Sequence, residues 1–111
     1  MMKVVGLLVL LLLVASPVKA QMAVTHTAVN VAATTATVLA ANPDRSMLLL
    51  ENDSDTVIYC SFGTAAVLNT GIRLGVSGGA VLIDVRPSQK LVACIHGGSG
   101  SKVLLITEGT Q

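Results

Sequence analysis

Histidine and acidic side chains are the residues of this sequence that could hold a metal ion or transfer a proton. His26 and His96 are isolated, and neither has a second His or a Cys at the spacing of a metal site. The segment 51–55, Glu-Asn-Asp-Ser-Asp, gathers three carboxylates and an amide, which are oxygen ligands of the kind that calcium takes. It lacks the glycine and the distal glutamate of an EF-hand loop, and its residue types also suit a hairpin turn. We therefore expect a turn here, with no metal ion and no cofactor.

Serine nucleophiles and phosphate-binding loops are the next chemistry to consider. Gly-Val-Ser-Gly-Gly at 75–79 has the Gly-x-Ser-x-Gly spacing, but a strand is expected to follow it, so it does not form the strand-to-helix elbow that activates a serine. The glycine-rich segments 75–79 and 97–100 precede expected strands, whereas a phosphate loop leads into the N-terminus of a helix. Both segments are predicted to be turns, the second as part of a hairpin, 97–101, between the last two strands. The sequence thus predicts no catalytic residue and no enzymatic activity.

Cys60 and Cys94 are the two cysteines of the chain. In an exported protein such a pair favours a disulfide, which on the loop-entropy model would contribute on the order of 3–4 kcal/mol. Two buried free thiols acting as small apolar side chains would suit the same positions. Both interpretations remain open at the level of sequence.

The N-terminus has the three parts of an export signal. A basic start at Lys3 precedes an 11-residue apolar run, 4–14, and the segment 15–20 offers a small-residue cleavage site. A helix of that length spans roughly 16 Å, too short for a bilayer core of about 30 Å. We expect a cleaved helical signal peptide at 1–20 and a single mature domain at 21–111. An uncleaved anchor and a misassigned start codon are the alternatives.

Charge and composition limit the partners of the mature chain. Without Lys3 and Lys19 the seven basic residues fall to five, against six acidic ones, which gives the 91-residue mature domain a net charge of −1. No basic stripe is present for phosphate contacts, and Tyr59 and Phe62 are the only aromatic residues, so we expect no nucleic-acid partner. Few charges on such an apolar chain favour self-association or docking on a larger assembly. We expect the chain to contact the membrane only through its signal peptide during export.

Period-two alternation and β-branched residues recur through the mature chain, and no segment shows a helical stripe. One candidate strand, 46–52, is apolar enough to be expected buried on both faces. Turn-forming residues separate the runs, as in Asn-Pro-Asp at 42–44. About eight short antiparallel strands indicate an all-β domain, a small β-sandwich or jelly roll. The candidate strands are 24–31, 34–39, 46–52, 56–62, 72–74, 80–85, 90–96 and 102–107.

Four segments carry a family resemblance: Val-Leu-Ala-Ala-Asn-Pro-Asp-Arg at 38–45, Leu-Leu-Leu-Glu-Asn-Asp at 48–53, Val-Ile-Tyr-Cys-Ser-Phe-Gly at 57–63 and Gly-Ile-Arg-Leu at 71–74. Over about 34–108 the chain resembles small phage-encoded β proteins that look like accessory virion proteins, such as head-fibre or capsid-decoration subunits. The resemblance implies a structural role for the turn and strand-end residues it includes. These residues are Asn42, Pro43, Arg45, Asn52, Gly71 and Arg73.

Arg45 and Arg73 are the two residues expected to matter most. An arginine beside an apolar strand can clamp turn carbonyls or pair with an aspartate, here Asp44 or Asp84. The leading hypothesis is therefore a non-enzymatic virion accessory protein of a phage or prophage. Because a signal peptide is not expected on a capsid protein assembled in the cytoplasm, the alternative is an exported bacterial binding or assembly module of the periplasm or cell surface.

Overall fold

The computed structural model describes residues 21–111, which form eight β-strands. The predicted signal peptide at 1–20 lies outside the described residues. Residues 21–111 contain no helix long and apolar enough to cross a membrane. The strands are β1 (Ala23–Val31), β2 (Ala36–Leu39), β3 (Arg45–Asn52), β4 (Ile58–Phe62), β5 (Ile72–Leu74), β6 (Ala80–Ile83), β7 (Val92–His96) and β8 (Lys102–Thr110).

The strands divide equally between two sheets. Sheet A has the order β1-β8-β3-β6, sheet B has the order β2-β7-β4-β5, and every pairing is antiparallel. The chain passes repeatedly from one sheet to the other, which is the arrangement of a jelly roll. The all-β prediction, with about eight antiparallel strands in a sandwich or jelly roll, is confirmed.

Two predicted hairpins are wrong. Segment 97–101 joins β7 in sheet B to β8 in sheet A, and segment 53–55 joins β3 in sheet A to β4 in sheet B. Within the described chain, β4 and β5 are the consecutive strands that pair with each other. Glycine and aspartate favour a chain reversal, but whether the flanking strands then pair or separate depends on packing across the whole domain.

The core lies between the inner faces of the two sheets, and alternate residues of each strand point into it. In β3, Leu48 and Leu50 are fully buried, whereas Met47 and Leu49 face outward and are only half-buried. The expectation that this strand is buried on both faces is therefore wrong, because no described segment covers sheet A from outside. The buried apolar residues of the core are Val31, Leu48, Leu50, Ile58, Cys60, Leu74, Val92, Cys94, Leu104 and Ile106.

Candidate functional site

Arg45, the first residue of β3, is a buried charged residue that fastens one end of the sandwich. Its guanidinium donates from Nη1 to the carbonyls of Ser88 (2.6 Å) and Lys90 (2.9 Å), and from Nη2 to that of Ala40 (2.9 Å). Its Nε donates to Glu108 Oε2 at 2.7 Å, and the two side chains are 0% and 13% exposed. Arg45 therefore ties β3 to β8 and to the loops that precede β3 and β7.

The acidic partner of Arg45 differs from the expected one. Asp44 and Asp84 were the expected partners, but Glu108 forms the ion pair. Residues 45 and 108 lie on neighbouring strands, β3 and β8, and are 63 positions apart in the chain. A partner at that separation is brought close only by the strand pairing, so residues adjacent in sequence do not reveal it.

The turn that precedes Arg45 is held by the side chain of Asn42. Asn42 Oδ1 accepts a hydrogen bond from the Asp44 amide at 2.9 Å, and the Arg45 amide donates to the Asn42 carbonyl at 3.3 Å. Pro43 occupies the position between them, where its fixed φ favours the turn. The Asn-Pro-Asp segment thus delivers the chain into β3 with Arg45 pointing inward.

Asn52, the last residue of β3, holds together the end of the sandwich opposite to Arg45. Its Nδ2 donates to the carbonyls of Thr56 (2.8 Å) and Leu74 (3.0 Å), which lie beside β4 and in β5 of the other sheet. Its Oδ1 accepts from the Ser54 hydroxyl at 2.6 Å, and the residue is fully buried. A buried amide with its hydrogen-bonding groups satisfied in this way links the two sheets.

The acidic segment 51–55 is used for structure. Asn52 is committed to backbone carbonyls, and Asp55 accepts a hydrogen bond from the Lys102 ammonium at 2.8 Å. That bond, together with one from the Thr56 hydroxyl, lowers the pKa of Asp55 below its ordinary value of 3.8. Residues 21–111 hold no group of three His, Cys, Asp or Glu side chains that could bind a metal ion.

Cys60 and Cys94 form a disulfide inside the core. They lie directly opposite each other on the neighbouring strands β4 and β7, and both are fully buried. The bond therefore closes a long loop without linking sheet A to sheet B. Of the two interpretations left open by the sequence, the structure favours the disulfide.

Gly71 and Arg73 have different surroundings. Gly71 has a φ of +77°, and a Cβ atom there would lie 2.5 Å from the Cys60 carbonyl oxygen. Arg73 lies in the middle of the edge strand β5 and is exposed, with no hydrogen bond or ion pair to any described residue. Its side chain makes no clamp contact within residues 21–111, so the clamp role of Arg73 stays a prediction. Its position on an edge strand leaves it beside Tyr59 and Asn69 at the surface.

His96 is a structural residue, although the sequence showed it only as an isolated histidine without a metal-site partner. It is fully buried, its Nδ1 accepts from the Gly98 amide at 3.1 Å, and its Nε2 lies 2.7 Å from the Gly100 carbonyl. These partners assign the ring proton to Nε2. The period-two pattern of β7 was the available signal, because residue 96 shares a face with Val92 and Cys94. His26, in contrast, is exposed and lies 2.8 Å from the Thr107 hydroxyl.

The outward side of sheet A is apolar. Its large side chains, Met47, Leu49, Leu82, Val103 and Leu105, are here called the outer face of sheet A. Leu49 lies opposite Leu82 on one side and Thr107 on the other, and Leu82 remains 57% exposed. Among the outward positions of these four strands, Glu51 is the one Asp, Glu, Lys or Arg residue, and His26 and Thr107 are polar residues of the same face. A partly exposed apolar sheet face of this kind is typical of interaction sites.

Comparison with known proteins adds one similarity. A scan of protein-family models finds no match, and a search of curated proteins finds none either. Among solved structures, the chain is similar to one from work on Bacillus endospore appendages, described as a novel family of disulfide-linked pili. The two share 17% identity over 87% of this chain and 96% of the other, with a TM-score of 0.44.

Proposed function

We propose that the mature chain, residues 21–111 after removal of the signal peptide, is a non-enzymatic structural subunit that associates with copies of itself or docks on a larger assembly. The outer face of sheet A carries this proposal. It presents apolar side chains from the neighbouring strands β3, β6 and β8, with Glu51 as the one Asp, Glu, Lys or Arg residue among its outward positions. Covering such a face with protein removes apolar surface from water, which is the main driving force for association.

The buried polar residues support a structural role. Arg45, Asn52 and His96 each make several hydrogen bonds that hold strands and loops in place. A catalytic side chain needs a free reactive atom that substrate can reach. None of these three groups has one, so each stabilises the sandwich.

Export is supported by the disulfide. Disulfides persist in oxidising compartments and are rare in the cytoplasm. The Cys60–Cys94 bond thus agrees with an N-terminal signal that delivers the chain to the periplasm or the exterior. N-terminal sequencing of the exported protein should give a start at Gln21, and a start at Met1 would contradict cleavage.

Two settings fit such a subunit. The phage-like segments at 38–45, 48–53, 57–63 and 71–74 favour an accessory protein of a phage or prophage particle, such as a decoration or fibre subunit. The signal sequence favours an exported bacterial module of the periplasm or cell surface. Antibody labelling of particles released by the host and of intact cells separates them, since only the first setting places the protein on purified particles.

The structural role is tested by light scattering on the purified mature protein over a wide range of concentrations. We expect the mass to rise with concentration. As a matched test of the surface, Leu82→Ser removes an exposed apolar side chain from the outer face of sheet A, and Val67→Ser removes one that is exposed to a similar degree from a loop. Association weakened by the first substitution alone supports the proposal. A wild-type protein that stays monomeric and binds no host-particle or cell-surface fraction would overturn it.

A further inference from the structure

One edge of β1 pairs with no described strand. Its nine residues pair with β8 in an unbroken register from Ala23 to Val31, and no described strand pairs with its other side. Residues 23–28 are exposed whether they point toward sheet B or away from it. Sheet B therefore does not overhang this half of β1, and an incoming strand has open access to it.

No feature that blocks edge-to-edge pairing is present on β1. Natural edge strands are protected by charged side chains, proline, bulges, short length or a covering segment. The sequence of β1, Ala-Val-Thr-His-Thr-Ala-Val-Asn-Val, contains no acidic residue, lysine, arginine, proline or glycine. Its regular register also rules out a bulge within the strand.

The other three sheet edges are protected. Strand β2 has four residues and an irregular register, and the amide of Ala66 donates to Thr35 Oγ1 just before it, which holds a loop beside that edge. Strand β5 has three residues with Arg73 in the middle. Strand β6 has four residues and leads at once into Asp84 and Arg86. The long unprotected edge is therefore a particular property of β1.

We propose that β1 pairs antiparallel with β1 of a second copy of this chain, which joins two copies of sheet A into one continuous eight-stranded sheet. This inference rests on the proposed self-associating function and names its interface. Full overlap of the two strands places Thr27 opposite itself on a two-fold axis, as closed homodimers require. Such a ladder supplies about eight to ten backbone hydrogen bonds.

The residues of β1 are compatible with this self-pairing. About the axis at Thr27, His26 faces Ala28 of the second copy, and Thr25 faces its Val29. No charged side chain meets its own copy, a contact that would oppose pairing. A partner of different sequence would gain no charge complementarity from β1, because the strand offers none. A second copy therefore suits this edge without any change to either strand.

The interface is tested first by disulfide trapping. Both native cysteines are consumed in the Cys60–Cys94 bond, so Thr27→Cys introduces the one free thiol in residues 21–111. Residues directly opposite in an antiparallel pair lie about 4.5–5.5 Å apart, within reach of a disulfide. We expect mild oxidation to give a covalent dimer. Arg73→Cys, at the exposed middle of the edge strand β5, is the matched control and should not cross-link under the same conditions.

A second variant measures the effect on affinity. Thr27→Lys places two ammonium groups opposite each other and should weaken dimerisation about fivefold or more in light scattering. Thr37→Lys, at an exposed position on β2, should leave dimerisation unchanged. Circular dichroism checks that both variants keep the β fold.

The outcomes separate this inference from the proposed function. If the wild type associates but Thr27→Lys associates as strongly and Thr27→Cys does not cross-link, the β1 interface is wrong and self-association stands. If the wild type remains monomeric and Thr27→Cys cross-links no better than Arg73→Cys, self-association itself is overturned. Cross-linking at residue 27 with weakened dimerisation of the lysine variant supports both.

Discussion

Removal of the Cys60–Cys94 disulfide should destabilise the domain to a degree that the loop it closes determines. The two residues are 34 positions apart. On the loop-entropy model, cross-linking such a loop stabilises the folded state by about 3.8 kcal/mol. A domain of this size has a total stability of roughly 5–14 kcal/mol, so the bond supplies a large share of it.

The perturbation must not add a cavity of its own, because both sulfur atoms lie in the buried core. The double variant Cys60→Ala/Cys94→Val replaces two sulfur atoms with two methyl groups, which keeps the number of heavy atoms constant. A single substitution would leave a free thiol able to cross-link copies. The double variant therefore measures the loss of the covalent bond with little loss of packing.

Urea unfolding of the oxidised wild type and of the double variant provides the measurement. We expect the free energy of unfolding to fall by about 3–4 kcal/mol, and the melting temperature to fall by roughly 15–30 °C. Reductant should leave the variant unchanged. Wild type that is unfolded in reductant and then refolded should behave like the variant.

A loss below about 1 kcal/mol would refute the loop-entropy reasoning. It would mean that the unfolded chain is already restricted, for example by residual pairing of the β4 and β7 segments in the unfolded state. A loss well above 5 kcal/mol would show instead that the substituted side chains pack poorly in the core.

Three further predictions concern other residues of the structure. Arg45→Met should cost about 3–5 kcal/mol of stability, because it leaves a largely buried carboxylate and three backbone carbonyls without their donor; urea unfolding measures this loss. Gly71→Ala should cost more than Gly100→Ala in the same assay, because both glycines have positive φ but only the first would place a Cβ against backbone. Asp55→Asn should destabilise the protein near neutral pH, because the bond from Lys102 stabilises the carboxylate, and unfolding curves at several pH values measure the effect.

The sign of the Asp55 effect follows from its lowered pKa. The carboxylate contributes stability at pH values above 3.8, its ordinary value, and this contribution is lost as the pH falls through the lower folded-state pKa. The difference between wild type and Asp55→Asn should therefore disappear in strong acid. A difference that grows on acidification would contradict this assignment.

For the other two predictions, an Arg45→Met loss under about 1 kcal/mol would refute the stated Arg45 contacts. Equal losses in Gly71→Ala and Gly100→Ala would refute the stated contact at Gly71.

Short-range patterns predicted the elements of this fold well. Period-two alternation located all eight strands, with most ends within two or three residues of those observed. Asn-Pro-Asp at 42–44 predicted the turn in which Asn42 bonds the backbone of Asp44. These predictions succeed because strand alternation and turn chemistry depend on neighbouring residues.

Long-range pairing could not be obtained in the same way. The glycine-rich segment 97–101 has the composition of a hairpin loop whether or not the flanking strands pair. In the structure it crosses from one sheet to the other. The partner of Arg45 is Glu108, which lies 63 positions further along the chain. Each depends on which strands become neighbours, a result of packing the whole chain around one core.

The sequence is therefore sufficient to predict the all-β class, the strand positions, the export signal and a cysteine pair suited to oxidation. The jelly-roll strand order, the closure of the Cys60–Cys94 bond between adjacent strands, and the exposure of β1 and the outer face of sheet A required the folded structure. The physical reason is the range of the interactions. Alternation and turns are set within a few residues, whereas a sheet edge is free or covered according to segments that lie far away in the chain.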